Sequence, residues 1–176
     1  MNDIYFYKYL VNKQVFYRSK HCYALVNLKP LIDGHVLLVP YNPKIARFSQ
    51  LNQEESIDYM NSLQTLTKFL TWEFKADSLN IAIQDGPESG QSIPHLHTHL
   101  IPRYKIDNLK GDSVHQNLEN LDLDQYLKEF EQRRTQHKLH PQKFKSDDER
   151  INRSMEEMEK EAQYLASQFE KFKIAQ

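Results

Sequence analysis

The chain has 176 residues, with 23 Lys plus Arg against 24 Asp plus Glu, a formal net charge of −1, and one cysteine, Cys22. That length suits one domain with room for an appendage, and the balanced charge argues against a general nucleic-acid or membrane-surface binder. A lone cysteine excludes an internal disulfide and a cysteine-based zinc site, and it fits a reducing compartment.

The start, MNDIYFYKYLVNK, has no basic region ahead of an apolar core and does not read as a secretory signal. No apolar run approaches the roughly 18 residues that span a membrane. The expectation is a soluble cytoplasmic protein, with nuclear and mitochondrial locations left open. Ile4 to Tyr9, or Val15 to Tyr17, offers a first strand. YALVNL (Tyr23 to Leu28) is apolar and β-branched and reads as a strand. Pro30 and Gly34 supply a turn, and HVLLVP (His35 to Pro40) reads as its hairpin partner. Asn52 with Glu55 three residues later is a capping-box pattern. Ile57, Met60, Leu63, Leu66 and Leu70 follow at helical spacing, which predicts a long amphipathic helix packed on a sheet. SLNIAIQ (Ser78 to Gln84) alternates as a strand, DGPESGQS is a loop, and HLHTHLI is a further strand. Composition then changes near residue 104. Residues 105–145 are charged and irregular, with a weak helical stretch around Leu123 to Phe130, and are expected to be largely mobile. Ser146 with Glu149 repeats the capping-box pattern. Ile151, Met155, Met158, Ala162, Leu165, Phe169 and Phe172 then form an apolar stripe on a C-terminal helix within 146–176, packed on the domain or on a partner chain.

The segment SIPHLHTHLIPR places His95, His97 and His99 at alternate positions. Alternate residues of a strand share one face. The three imidazoles therefore form a row turned away from the core side of Leu96 and Leu100, or into a cleft. Such a row has three readings. It is a histidine-rich surface, a metal site, or a catalytic array acting on phosphate. Metal is disfavoured because no Asp, Glu or Cys nearby completes a tetrahedral set and three ligands on one straight strand rarely converge. A neutral imidazole can attack phosphorus and be oriented by neighbours. Gly90, Gln91 and Ser92, just before the row, offer backbone N–H groups, an amide and a hydroxyl for phosphate oxygens. His21, His115, His137 and His140 have no partner pattern and are expected to be solvated. Arg103 reads equally as a phosphate contact or a surface charge.

HLHTHLI, together with ALVNLKPLIDGHVLLVP and AIQDGPESGQSIPHLHTHLIPR, resembles the histidine triad superfamily, and within it the fragile histidine triad branch of dinucleoside polyphosphate hydrolases. The resemblance runs from about Phe6 to Arg103. It implies an α+β fold with a meandering antiparallel sheet, residues 1–104 as the catalytic domain, and a homodimer. It also implies cleavage of diadenosine triphosphate to AMP and ADP through an AMP–histidine intermediate on His97. His95 and His99 would position His97 and contact phosphate, and His35 would join the cluster. Gln84, Gln91 and Ser92 would bind the phosphate chain, Asn27 the ribose, and Phe6 the adenine. No cofactor or metal bound by the protein is expected, and a divalent cation such as Mg²⁺ or Mn²⁺ would travel with the substrate. The other readings are an adenosine phosphoramidase, a nucleotide-binding signalling module with incidental turnover, and a structural or metal-binding protein.

Overall fold

The apolar runs around Tyr23 and Val36 set the architecture. In the computed structural model, which describes residues 3–105 and 152–175, β4 (Cys22–Val26) pairs antiparallel with β5 (Val36–Pro40), and all ten of their residues are buried. Strands buried on both faces need continuous apolar sequence, which is what these two runs supply. Around them lie β3 (Val15–Arg18), β6 (Ser78–Ile83) and β7 (Thr98–Arg103), giving an antiparallel five-stranded sheet in the order β3-β4-β5-β7-β6. A separate two-stranded hairpin, β1 (Tyr5–Phe6) with β2 (Tyr9–Leu10), precedes it. The predicted α+β fold is the one observed.

Alternation along the central strands divides the interior into two clusters. Cys22, Ala24, Val26, Val36 and Leu38 face the helices α1 (Gln53–Phe74) and α2 (Met155–Ile174). Tyr23, Leu25, Leu37 and Val39 face the other way, onto Ile4, Phe6 and Val11 around the hairpin. The register of β7 obeys the same alternation. Leu100 pairs with Val36 and Thr98 with Leu38 on the helix side, whereas His99 pairs with Leu37 on the hairpin side.

Helix α1 begins at Asn52 with the expected capping box: its side chain accepts from Glu55 N–H while Glu55 accepts from Asn52 N–H. Its buried row is not the expected one. Tyr59, Ser62, Leu66, Phe69 and Leu70 are buried, while Ile57 and Met60 are 57% and 46% exposed. Two hydroxyls explain the rotation. Tyr59 donates to the Leu38 carbonyl at 3.0 Å and meets the Thr98 hydroxyl at 2.7 Å, and Tyr17 donates to Ser62 at 3.0 Å. Satisfied hydroxyls can occupy a core position that a hydrophobicity pattern assigns to aliphatic residues.

Helix α2 starts later than the Ser146–Glu149 pattern suggests. Ser154 caps it, in a capping box with Glu157. Ser146, Glu149, Ile151, the stretch Leu123 to Phe130, and His115, His137 and His140 lie outside the described residues. Met158, Ala162, Leu165, Phe169 and Phe172 are buried as the stripe predicts, and they join the core of this chain. Phe169 packs edge-on against Phe69 at 5.1 Å and Tyr17 at 5.2 Å.

The other strands deviate at their ends. β5 starts at Val36, so His35 lies in the turn before it. β7 starts at Thr98, not at His95, because His95 N–H donates to the Ile93 carbonyl and Leu96 N–H to the Ile45 carbonyl, which takes both out of the ladder. β6 is an exposed edge strand, with Ile81 48% exposed. His21, expected to be solvated, is part-buried: its N–H donates to Asp58 and its ring lies 3.7 Å from Glu54. No helix of the described residues is long and apolar enough to cross a membrane.

Phe169→Ala removes an aromatic ring that joins α2 to both the sheet and α1. Urea unfolding is expected to show a loss of about 3–5 kcal/mol, with the midpoint falling and the slope unchanged.

Candidate active site

The three histidines reach the hairpin face of the sheet by two different routes. His99 is placed by strand register opposite Leu37. His95 and His97 are placed by the irregular segment just before β7. The contact between these two fixes the chemistry. His97 Nδ1 lies 2.8 Å from the His95 carbonyl oxygen. A carbonyl can only accept, so Nδ1 carries the proton and Nε2 of a neutral ring keeps its lone pair.

His95 is held just as definitely. The backbone N–H of Tyr7 donates to its Nδ1 at 2.9 Å, so its proton sits on Nε2, which donates to the Pro40 carbonyl at 2.9 Å. Both ring nitrogens are thus occupied by backbone groups, and the ring is fully buried. The phosphate contact implied for His95 by resemblance is closed to this ring. What His95 offers the site is its carbonyl. Tyr7 reaches His95 from a left-handed backbone conformation, φ 56°, which is uncommon for a residue with a bulky side chain. The ring of Phe6 lies 5.6 Å from that of His95 and 5.3 Å from that of His97, so the hairpin packs on both.

A second pair runs in parallel. Leu31 N–H donates to His35 Nδ1 at 3.1 Å, which leaves the His35 proton on Nε2, 2.9 Å from His99 Nδ1. His99 therefore accepts at Nδ1 and carries its own proton on Nε2. Its ring stands edge-on to that of His97, with centroids 5.1 Å apart. The Asn27 amide lies 3.1 Å from the same His35 nitrogen. The result is a ring with a free lone pair, His97, beside a ring that presents an N–H, His99.

These groups open on a cleft of about 670 Å³, within the range of small-molecule sites. Of the residues expected from sequence, Phe6, Asn27, Ser92, His97 and His99 line it. His35 and His95 stand behind it. Gln84 and Gln91 do not line it. Gln91 donates its amide to the Ala46 carbonyl at 2.8 Å, bracing the loop. Gly90 has φ 87°, and a Cβ there would come within 2.8 Å of the Gln84 amide, so the glycine lets Gln84 press against the loop backbone. Arg103 bonds Asn80 on the adjacent strand. Sequence reasoning missed several lining residues: Lys8, Gln14, Lys29, Met155 and Met158. Met155 and Met158 were visible only as members of an apolar stripe, which says that they are covered but not by what. It also missed Arg153, whose guanidinium donates to the Asn27 carbonyl at 2.5 and 3.1 Å and pairs with Glu161. Arg153 N–H also donates to the Leu28 carbonyl, so the start of α2 holds the loop that carries Asn27.

Burial lowers the pKa of His97 below the ordinary histidine value, against the opposing pull of its bond to the His95 carbonyl. Burial also pushes His95 and His99 down to about 4. The site is thus neutral at pH 7, as a nucleophilic imidazole requires. These shifts also set a stability trend. In the unfolded chain His95 and His99 protonate below about pH 6.5, while in the folded chain they resist until near pH 4. Stability from these groups is complete above the unfolded value and is lost as pH falls through that window. Urea unfolding at pH 5 is expected to show on the order of 2 kcal/mol or more less stability than at pH 7. The difference should shrink in His99→Gln.

Comparison with known proteins agrees with this geometry. The HIT domain family model matches residues 10–106. A bis(5'-adenosyl)-triphosphatase of Saccharomyces cerevisiae is 44% identical over 192 residues, covering 96% of this chain and 93% of the relative. A bis(5'-nucleosyl)-tetraphosphatase [asymmetrical] of Schizosaccharomyces pombe is 38% identical, covering 95% and 94%. Among solved structures, a Plasmodium falciparum diadenosine triphosphate hydrolase in complex with cyclomarin A aligns with a TM-score of 0.68 and 26% identity, covering 97% of this chain and 86% of that one.

Proposed function

Since the chain belongs to the HIT domain family, we propose that it hydrolyses diadenosine triphosphate to AMP and ADP, with His97 as the nucleophile. The observation that carries this reading is the 2.8 Å contact between His97 Nδ1 and the His95 carbonyl, which leaves Nε2 unprotonated beside the cleft. The substrate follows the triphosphatase relative at 44% identity, and the tetraphosphatase relative at 38% marks longer dinucleoside polyphosphates as the neighbouring class.

In the first step, His97 Nε2 attacks the α-phosphorus. The new P–N bond forms as the bond from phosphorus to the β-phosphate bridging oxygen breaks, and ADP departs with that electron pair. The adduct carries positive charge on the ring, with Nδ1–H aimed at the His95 carbonyl. A carbonyl dipole placed there stabilises that charge as it develops. In the second step, water attacks phosphorus and the P–N bond breaks. AMP, the only monophosphate product, leaves, and the water proton passes to solvent. The His99 N–H and the Ser92 hydroxyl donate to phosphate oxygens in this reading, and Lys8 and Lys29 add positive charge, which their common position in the cleft lining supports. Asn27 serves the ribose, and Phe6, which lines the cleft and packs edge-on against His97 at 5.3 Å, helps to enclose the adenine. A divalent cation such as Mg²⁺ or Mn²⁺ enters with the phosphate chain as its countercharge.

The protein acts as a homodimer in this reading, supported by the open, exposed edge of β6 with Ile81 at its centre. The cytoplasm is its compartment, supported by the single free, buried thiol of Cys22.

His97→Ala, incubated with diadenosine triphosphate and Mg²⁺ beside the wild type, is expected to lose at least about 10⁴-fold in turnover while still binding the nucleotide. Chromatography should show AMP and ADP from the wild type alone. Equal product from both proteins would remove His97 from the reaction.

A further inference from the structure

The cleft contains one buried polar side chain that the proposed chemistry leaves without a task. Gln14 closes the short 3-10 turn Asn12–Gln14, is only 9% exposed, and lines the same cleft as His97. Its amide Nε2 donates to the Met155 sulfur at 3.7 Å. A thioether is a weak acceptor, and no hydrogen bond reaches Oε1 from the described residues. The oxygen is not sealed from solvent, since His21 Nε2 is the one buried side-chain polar atom without a partner among the described residues, so it is open to a ligand that enters the cleft and becomes costly to leave unpaired once that ligand covers it. The other amide lining the cleft, Asn27, is assigned to the ribose above, and its oxygen accepts from Lys29 N–H.

Helix α2 sets how Gln14 points. Glu159 holds Lys13 of the same turn at 3.0 Å, and Met155 takes the Gln14 donor. With Nε2 committed to sulfur, Oε1 is the atom left for a ligand. Leu10, Val11, Leu28 and Met158 line the same cleft and offer apolar surface to a flat ring. An oriented acceptor in an apolar slot matches a ring bearing an exocyclic amine and opposes one bearing an exocyclic carbonyl at the same position. Glutamine commonly reads adenine through its N6 amine.

We propose that Gln14, oriented by Met155 of the C-terminal helix, is a specificity-determining residue that accepts from the 6-amino group of the adenine and discriminates against 6-oxopurines. This rests on the nucleotide cleft assigned above and adds to it a reader of the base. The mismatched purine would leave Oε1 buried against another acceptor, and sites built on a hydrogen bond reject such analogues more strongly than apolar pockets reject shape changes.

The test compares AMP with IMP by calorimetry on the full-length protein, then diadenosine with diinosine triphosphate by kcat/KM. The wild type is expected to favour the adenine ligand about tenfold or more in both measurements. Gln14→Leu should bring the ratio near one by weakening the adenine ligand. Met155→Leu, which keeps the apolar volume but frees the amide to turn, should narrow the ratio by strengthening the inosine ligand. A wild-type ratio near one, or a ratio that survives in Gln14→Leu, overturns the proposal. If Gln14→Leu does not fold, an unchanged ratio in Met155→Leu overturns it equally. The AMP against IMP comparison needs no turnover. The predicted ratio together with no hydrolysis of diadenosine triphosphate would therefore sink the hydrolase reading and leave the base reader standing.

Discussion

The site depends on one hydrogen bond, from His97 Nδ1–H to the carbonyl of its neighbour but one. It chooses a tautomer, and the tautomer decides whether the ring can be a nucleophile. Everything nearby acts to keep that carbonyl still. The His95 side chain is pinned at both nitrogens, by Tyr7 N–H and by the Pro40 carbonyl. The backbone on either side of it is held by Ile93 and Ile45. Phe6 covers both rings. The cost is visible at Tyr7, whose left-handed backbone is the kind of local strain that persists where surrounding structure enforces it.

The same constraint explains how the fold is used. A sheet with two buried central strands has two faces, and alternation gives one face to the helices and the other to the cleft. β7 carries both functions at once. Thr98 and Leu100 join the core with Tyr59 and Val36, and His99 between them faces the nucleotide side. The hairpin β1–β2 and helix α2 then close the cleft from opposite ends of the chain. Arg153 on the Asn27 loop and Met155 on Gln14 make the C-terminal helix a wall of the cleft as well as part of the core.

Much of this was legible in the sequence, and the rest was hidden for specific reasons. The strand pair around Tyr23 and Val36, the Asn52 cap and the buried stripe of α2 follow from local rules, because hydrophobic period and capping chemistry are properties of neighbouring residues. The triad could be placed on one side because Leu96 and Leu100 marked the other. The departure of His95 from the strand could not be read, since it depends on Ile45, fifty residues away. The rotation of α1 was also hidden, because Tyr59 and Ser62 count as poor core residues until Leu38, Thr98 and Tyr17 are seen to satisfy them. Gln84 and Gln91 looked like ligands because amides suit phosphate. In the folded chain Gln91 braces its own loop and Gln84 lies against Gly90. Lys8, Gln14 and Met155 gave no signal, because a cleft joins residues that no local pattern connects.

The protonation of His97 itself is the first thing to measure. A long-range ¹⁵N–¹H correlation spectrum at pH 7, assigned with His97→Ala, reports which ring nitrogen carries the proton. The His97–His95 contact predicts a neutral ring with the proton on Nδ1 and a bare Nε2, persisting as the pH is lowered past the ordinary histidine value of about 6.5. A proton on Nε2, or an imidazolium at pH 7, would mean that the His95 carbonyl does not set the tautomer, and the proposed nucleophile would lose its physical basis.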